Sequence, residues 1–92
     1  MTASHGPSLL ASRLTELREL AGLTGRAVAL ALGWPASKVS KLENARQRPS
    51  VDDLRGWVRV TGAGEAIDEL IALRQHADLR HANWRRRLAP GL

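Results

Sequence analysis

Apolar residues in this chain recur at helical rather than strand spacing, in blocks separated by Gly and Pro. Leu10, Leu14, Leu17 and Ala21 fall within about 60° of one another at about 100° per residue, which predicts a first helix from Ser8 that ends at Gly22 in a left-handed cap. Thr24 is placed to N-cap a short second helix, with Val28, Ala29 and Leu32 inward and Gly33 as its stop. Pro35, with a fixed φ and no amide proton, suits the first position of a third helix running to about Asn44, and Val39 and Leu42 form its inner side. Ser50, followed three places on by Asp53, reads as the cap and acidic first turn of a fourth helix. Its inner face is Val51, Leu54, Trp57, Val58 and Thr61, and Gly62 and Gly64 close it. A fifth, long helix is predicted from Glu65 to about Leu88, with Ala66, Leu70, Leu73, Ala77, Trp84 and Leu88 on one stripe.

These elements predict an all-α fold, a compact bundle of five helices with an extended C-terminal helix. Ninety-two residues support one small core, and with 43% apolar and only 3% aromatic content that core is built from Leu, Val and Ala around inward-turned Trp. Absence of Cys removes disulfides and thiolate metal sites and fits a reducing cytoplasm. No stretch approaches about 18 consecutive apolar residues, and the N-terminus lacks a charged start followed by an apolar run. The expectation is a soluble, cytoplasmic protein with no membrane partner.

Charge changes the picture. Between Thr24 and Ser50 stand five basic residues, Arg26, Lys38, Lys41, Arg46 and Arg48, and a single acid, Glu43, so this segment holds most of the formal net charge of +5. On the third helix Ser37, Lys41 and Asn44 cluster within about 60° opposite the apolar side, and Lys38 flanks them. Such a face offers hydrogen-bonding groups to a partner, although the pattern alone also fits a solvated face. A pI of about 11.3 points to polyanions. Nucleic acid is favoured over a membrane surface, because the basic excess lies on two short helices broken by a turn rather than on one long amphipathic helix.

The run Leu23, Thr24, Val28, Ala29, Gly33, Val39, Leu42, Glu43, Asn44, Arg48, Pro49 and Ser50 resembles the helix-turn-helix of the Cro/cI class, the XRE family of bacterial regulators, and in particular the N-terminal domain of its actinobacterial members. The resemblance spans Leu10 to Ala63 and implies a lambda-repressor-like bundle whose third helix enters the DNA major groove. It implies a sequence-specific regulator of transcription, a homodimer on a pseudo-palindromic operator in double-stranded DNA, associated with the nucleoid. On this reading Ser37, Lys38 and Lys41 face base edges and Ala36 offers at most a methyl contact, while Thr24, Arg26, Asn44, Arg46 and Arg48 hold phosphates. Arg18 and Glu43 edge the same core from two helices and are placed to pair, as such positions often do in this family. Ala45 departs from the family pattern, which favours glycine where the chain turns left-handed, and Asn44 is the residue expected to take that role.

The chain then divides into a flexible tail over 1–7, a helix-turn-helix domain over 8–64, and a C-terminal helix with a basic tail over 65–92 that serves as dimer seam or connector. A further C-terminal domain or a protein partner is compatible with that layout. A rival reading keeps the helix-turn-helix as a scaffold for protein–protein interaction through Leu30, Trp34 or the fifth helix, since Leu30 points away from the inner face of its helix. Catalytic chemistry is not legible. His76 and His81 are poorly aligned for a metal, the acidic pairs Asp52-Asp53 and Asp68-Glu69 sit at helix starts, and no phosphate-cradling loop or nucleophile elbow is present. The chain is therefore read as a non-enzyme with no cofactor and no metal.

Overall fold

The second and fourth helices begin and end where the sequence supplies a cap, Thr24 and Gly33 for the one and Ser50 and Gly62 for the other. The computed structural model describes residues 6–76 and contains, in order, α1 (Gly6–Leu20), α2 (Gly25–Leu32), α3 (Ala36–Glu43), α4 (Val51–Thr61), a 3-10 turn (Gly64–Ala66) and α5, helical over 67–76. No strand occurs among the described residues, so the fold is all-α. The expectations for Ala77, His81, Trp84, Arg85, Arg86, Arg87 and Leu88, and for residues 1–5, lie outside the described residues.

Besides the end of α3, four boundaries depart from the sequence reading. Gly6 and Pro7, assigned to the tail, open α1, where a proline is tolerated in the first turn because its missing amide would have had no helical partner. Ala21 lies beyond the end of α1 and is exposed, because its chain has already turned into the Gly22 cap (φ 73°), and Ala11 takes its place in the core. Pro35 is extended (φ −67°, ψ 146°) and caps α3 rather than opening it. The helical path after Gly64 starts as a 3-10 turn, because Ala63 is non-helical and its carbonyl accepts the Ala66 amide at 2.8 Å.

Thr24 and Ser50 are N-caps as expected. The Thr24 hydroxyl oxygen accepts the Ala27 amide at 3.0 Å. Ser50 and Asp53 form a reciprocal capping box, Ser50 Oγ accepting from the Asp53 amide at 3.0 Å and Asp53 Oδ2 from the Ser50 amide at 2.9 Å.

One core joins the helices. Leu10, Leu14 and Leu17 of α1 meet Val28 and Ala29 of α2, Val39 and Leu42 of α3, and Leu54, Trp57 and Val58 of α4, with Ala63, Ala66 and Leu70 completing the cluster. Trp57 is fully buried, and its indole N–H donates to the Leu14 carbonyl at 3.0 Å, so the largest core side chain leaves no polar atom unsatisfied. Polar ties complement this packing at the edges. Arg13 bonds Glu69 of α5 through Nε at 3.0 and 3.1 Å, and Arg74 Nε donates to the Pro49 carbonyl at 2.7 Å, fastening α5 to the loop that follows α3. In α4, Gly56 permits close approach of α2, since a Cβ there would stand 2.9 Å from a Leu32 methyl.

Candidate nucleic-acid interface

α2 and α3 are joined by a three-residue turn whose geometry is set by two backbone amides. Gly33, left-handed at φ 71°, sends its amide to Ala29 and Leu30, and the Trp34 amide reaches back to the Ala29 carbonyl at 2.9 Å. The chain then extends through Pro35 and re-enters a helix at Ala36, with the Lys38 amide bonding the Pro35 carbonyl at 3.0 Å.

On α3 the division of faces matches the periodicity. Val39 and Leu42 are buried, while Ala36, Ser37, Ser40 and Lys41 are exposed. Lys41 has no ion-pair partner among the described residues, and the same holds for exposed Arg26 near the start of α2 and exposed Arg46 beyond the end of α3. Exposed cations left without a partner are those able to neutralise phosphate. Thr24 is exposed too, and its oxygen's capping bond leaves the hydroxyl proton available to donate.

Lys38 stands apart from this group. Its ammonium pairs with Asp53 Oδ1 of α4 at 3.0 Å and lies 4.2 Å from the centroid of the Trp34 ring, a cation–π contact. Trp34 in turn packs on Trp57, ring centroids 6.2 Å apart. Burial by itself raises the Asp53 carboxyl, but the Ser50 amide and the Lys38 ammonium together outweigh it and hold the group below its ordinary value. The sequence carries no local sign of this pair, since its members are fifteen positions apart on different helices.

α3 ends one residue earlier than the spacing suggests. Asn44 is its C-cap at φ −107°, and its side-chain amide donates to the Ser40 carbonyl at 2.8 Å. The left-handed residue is Ala45 itself (φ 58°), not Asn44, because the Arg46 amide must reach back to the Lys41 carbonyl, at 2.8 Å, to close the helix. The expected Arg18–Glu43 pair is present. Arg18 Nε and Nη2 donate to the two carboxylate oxygens at 2.6 and 3.0 Å, Nη1 donates to the Leu23 carbonyl at 2.9 Å, and the Glu43 contact raises the already high guanidinium pKa further. Arg48 is exposed and leads into buried Pro49.

Residues 9–70 match the family model of the helix-turn-helix domain. The chain belongs to that helix-turn-helix family. The match runs from α1 to Leu70, the last fully buried core residue among the described residues, so it covers far more than the two short helices alone. It agrees with the Cro/cI-type resemblance and supports DNA as the partner class for this domain. In a helix-turn-helix unit the first helix is termed the supporting helix and the second the recognition helix, the positions held here by α2 and α3. No curated protein and no solved structure matches the chain. Among the described residues no helix is long and apolar enough to cross a membrane, and no group of three or more His, Asp or Glu is gathered to hold a metal ion.

Proposed function

We propose that the protein is a sequence-specific regulator of transcription that inserts α3 into the major groove of double-stranded DNA. The observation that carries this reading is exposed Lys41 beside Ser37 on α3, together with exposed Arg26 and Arg46, none of the three with an ion-pair partner among the described residues, in a chain of the helix-turn-helix family. Ser37 and Lys41 read base edges, with Ala36 in methyl contact, and Lys41 is long enough to reach guanine O6 or N7. Thr24, Arg26, Asn44, Arg46 and Arg48 fix the register on phosphates. Two copies bind a pseudo-palindromic operator, one half-site each, in the cytoplasm at the nucleoid. The activity is binding, and no cofactor takes part.

Leu30 favours a second reading, a protein-interaction module on a helix-turn-helix scaffold, because this large apolar side chain is 82% exposed on the supporting helix. Salt separates the two. Duplex affinity that falls linearly with the logarithm of salt concentration supports the DNA reading, whereas a chain that binds no duplex at low salt is the interaction module. Selection of bound duplexes from a random pool then yields the operator; recovery of no preferred sequence would defeat the claim of specificity.

A further inference from the structure

Of the basic side chains between Thr24 and Ser50, Lys38 differs from Arg26, Lys41 and Arg46 in having an acidic partner. It lies about 60° from Lys41 around the axis of α3, close enough to the exposed face to reach what Lys41 reaches. Yet Lys38 is turned towards α4, where its side chain is 25% exposed and that of Asp53 15%. The carboxylate cannot follow the lysine outward. Its second oxygen is fixed by the Ser50 amide at 2.9 Å, while its own amide is fixed by Ser50 Oγ at 3.0 Å, so Oδ1 is presented to Lys38 from a rigid mount. Trp34 closes the other side of the ammonium at 4.2 Å.

We propose that Asp53 is a specificity-determining residue of the DNA-binding mode, acting through Lys38. By holding that ammonium against α4, it withholds from the recognition helix a cation that would otherwise bind phosphate on any sequence. The inference rests on the DNA reading above. Base contacts hold α3 in one register on the operator, whereas in non-specific binding a mobile lysine can settle on whichever phosphate lies near, so it adds more affinity to non-specific DNA; one mobile lysine fewer on α3 therefore raises the ratio of operator to non-specific affinity. Lys38 is thus a positioned, neutralised residue rather than a base reader, and α3 reads sequence with Ser37 and Lys41.

The test measures binding of the full chain to a labelled scrambled duplex over a series of salt concentrations. Lys38→Met keeps the stem over Trp34 and leaves the capping box intact, and it should not change the salt slope. Asp53→Asn should strengthen scrambled binding several-fold at about 0.1 M salt and steepen the slope by about 0.9 per subunit, one additional phosphate neutralised. The double variant should return to the wild-type slope. If it instead keeps the gain of Asp53→Asn, the effect is only the loss of a repelling charge and the proposal fails. A slope that falls in Lys38→Met means Lys38 already touches phosphate, which also overturns it and stands even if Asp53→Asn does not fold. An unchanged slope in a folded Asp53→Asn sinks the proposal while wild-type binding leaves the DNA reading intact. Absence of any wild-type binding overturns both.

Discussion

Arg18 of α1 grips Glu43 of α3 in a two-pronged pair, with both side chains largely withdrawn from solvent at 17% and 13% exposure. Because the third guanidinium contact goes to the Leu23 carbonyl, one side chain joins the end of the recognition helix to the first helix and to the loop before the second. A bidentate, largely buried pair in which all three guanidinium nitrogens donate differs from a surface ion pair, which contributes little. Arg18→Ala strands the largely buried Glu43 carboxylate and should cost about 3 kcal/mol, measured by urea denaturation. A double-mutant cycle with Glu43→Gln should give coupling of more than about 1 kcal/mol; coupling near zero would mean the pair does not hold in solution.

Ala45 gives a prediction of the opposite sign. Gly33 and Gly62 close α2 and α4 in the left-handed conformation, and α3 closes the same way with an alanine at φ 58°. A Cβ in that conformation costs about 1 to 2 kcal/mol, and the extra unfolded-state entropy of glycine gives back only part of the gain. Ala45→Gly should therefore stabilise the domain by about 0.5 to 1 kcal/mol, a rise in Tm of about 2 to 8 °C in a scanning melt. A lower Tm would show that the loop after α3 relaxes out of this turn.

What could be read in advance from the sequence depended on range. Thr24 and Ser50 were legible because a cap and its target lie three residues apart, and Val39 and Leu42 because a helix face repeats with fixed period. Arg18 and Glu43 were within reach because each edges an apolar stripe on its own helix. Ala21 shows the limit of periodicity: it stays on the stripe of α1, but the helix has ended and nothing remains for it to pack against. Lys38 shows another limit. Its angle on α3 places it near the outer face, and only the packing of α4 brings Asp53 to it. The Arg13–Glu69 and Arg74–Pro49 ties are likewise products of tertiary arrangement, with no local pattern to announce them.

Asp53 also makes stability depend on acidity. Its folded carboxyl is held below the unfolded value, burial being outweighed by the Ser50 amide and Lys38. A depressed pKa stabilises the fold fully above the unfolded value of about 3.9 and loses that contribution as pH falls through the lower folded value. Wild type should lose stability on acidification below about pH 4, and Asp53→Asn should show a shallower dependence there in melts from pH 7 to 2.5. Parallel pH curves for the two proteins would assign acid sensitivity to other carboxylates.

The contrast between Lys41 and Arg46 tests the assignment of contacts most sharply, since the two side chains stand five positions apart on different mounts. Lys41 projects from the exposed side of α3, within the helix, where a side chain can reach a guanine edge. Arg46 stands past the left-handed turn at Ala45, its backbone tied to the Lys41 carbonyl at 2.8 Å, so its guanidinium belongs to the loop that would run along the DNA backbone. Lys41→Ala should lower operator affinity by about 1 to 3 kcal/mol, relax preference at one base pair per half-site, and affect scrambled DNA less. Arg46→Ala should weaken operator and scrambled duplex alike and reduce the salt slope by about one per subunit. Equal losses on every sequence for Lys41→Ala would make that lysine a phosphate anchor. Specificity would then have to come from Ser37 or from the shape of the DNA, because Lys38 is held by Asp53.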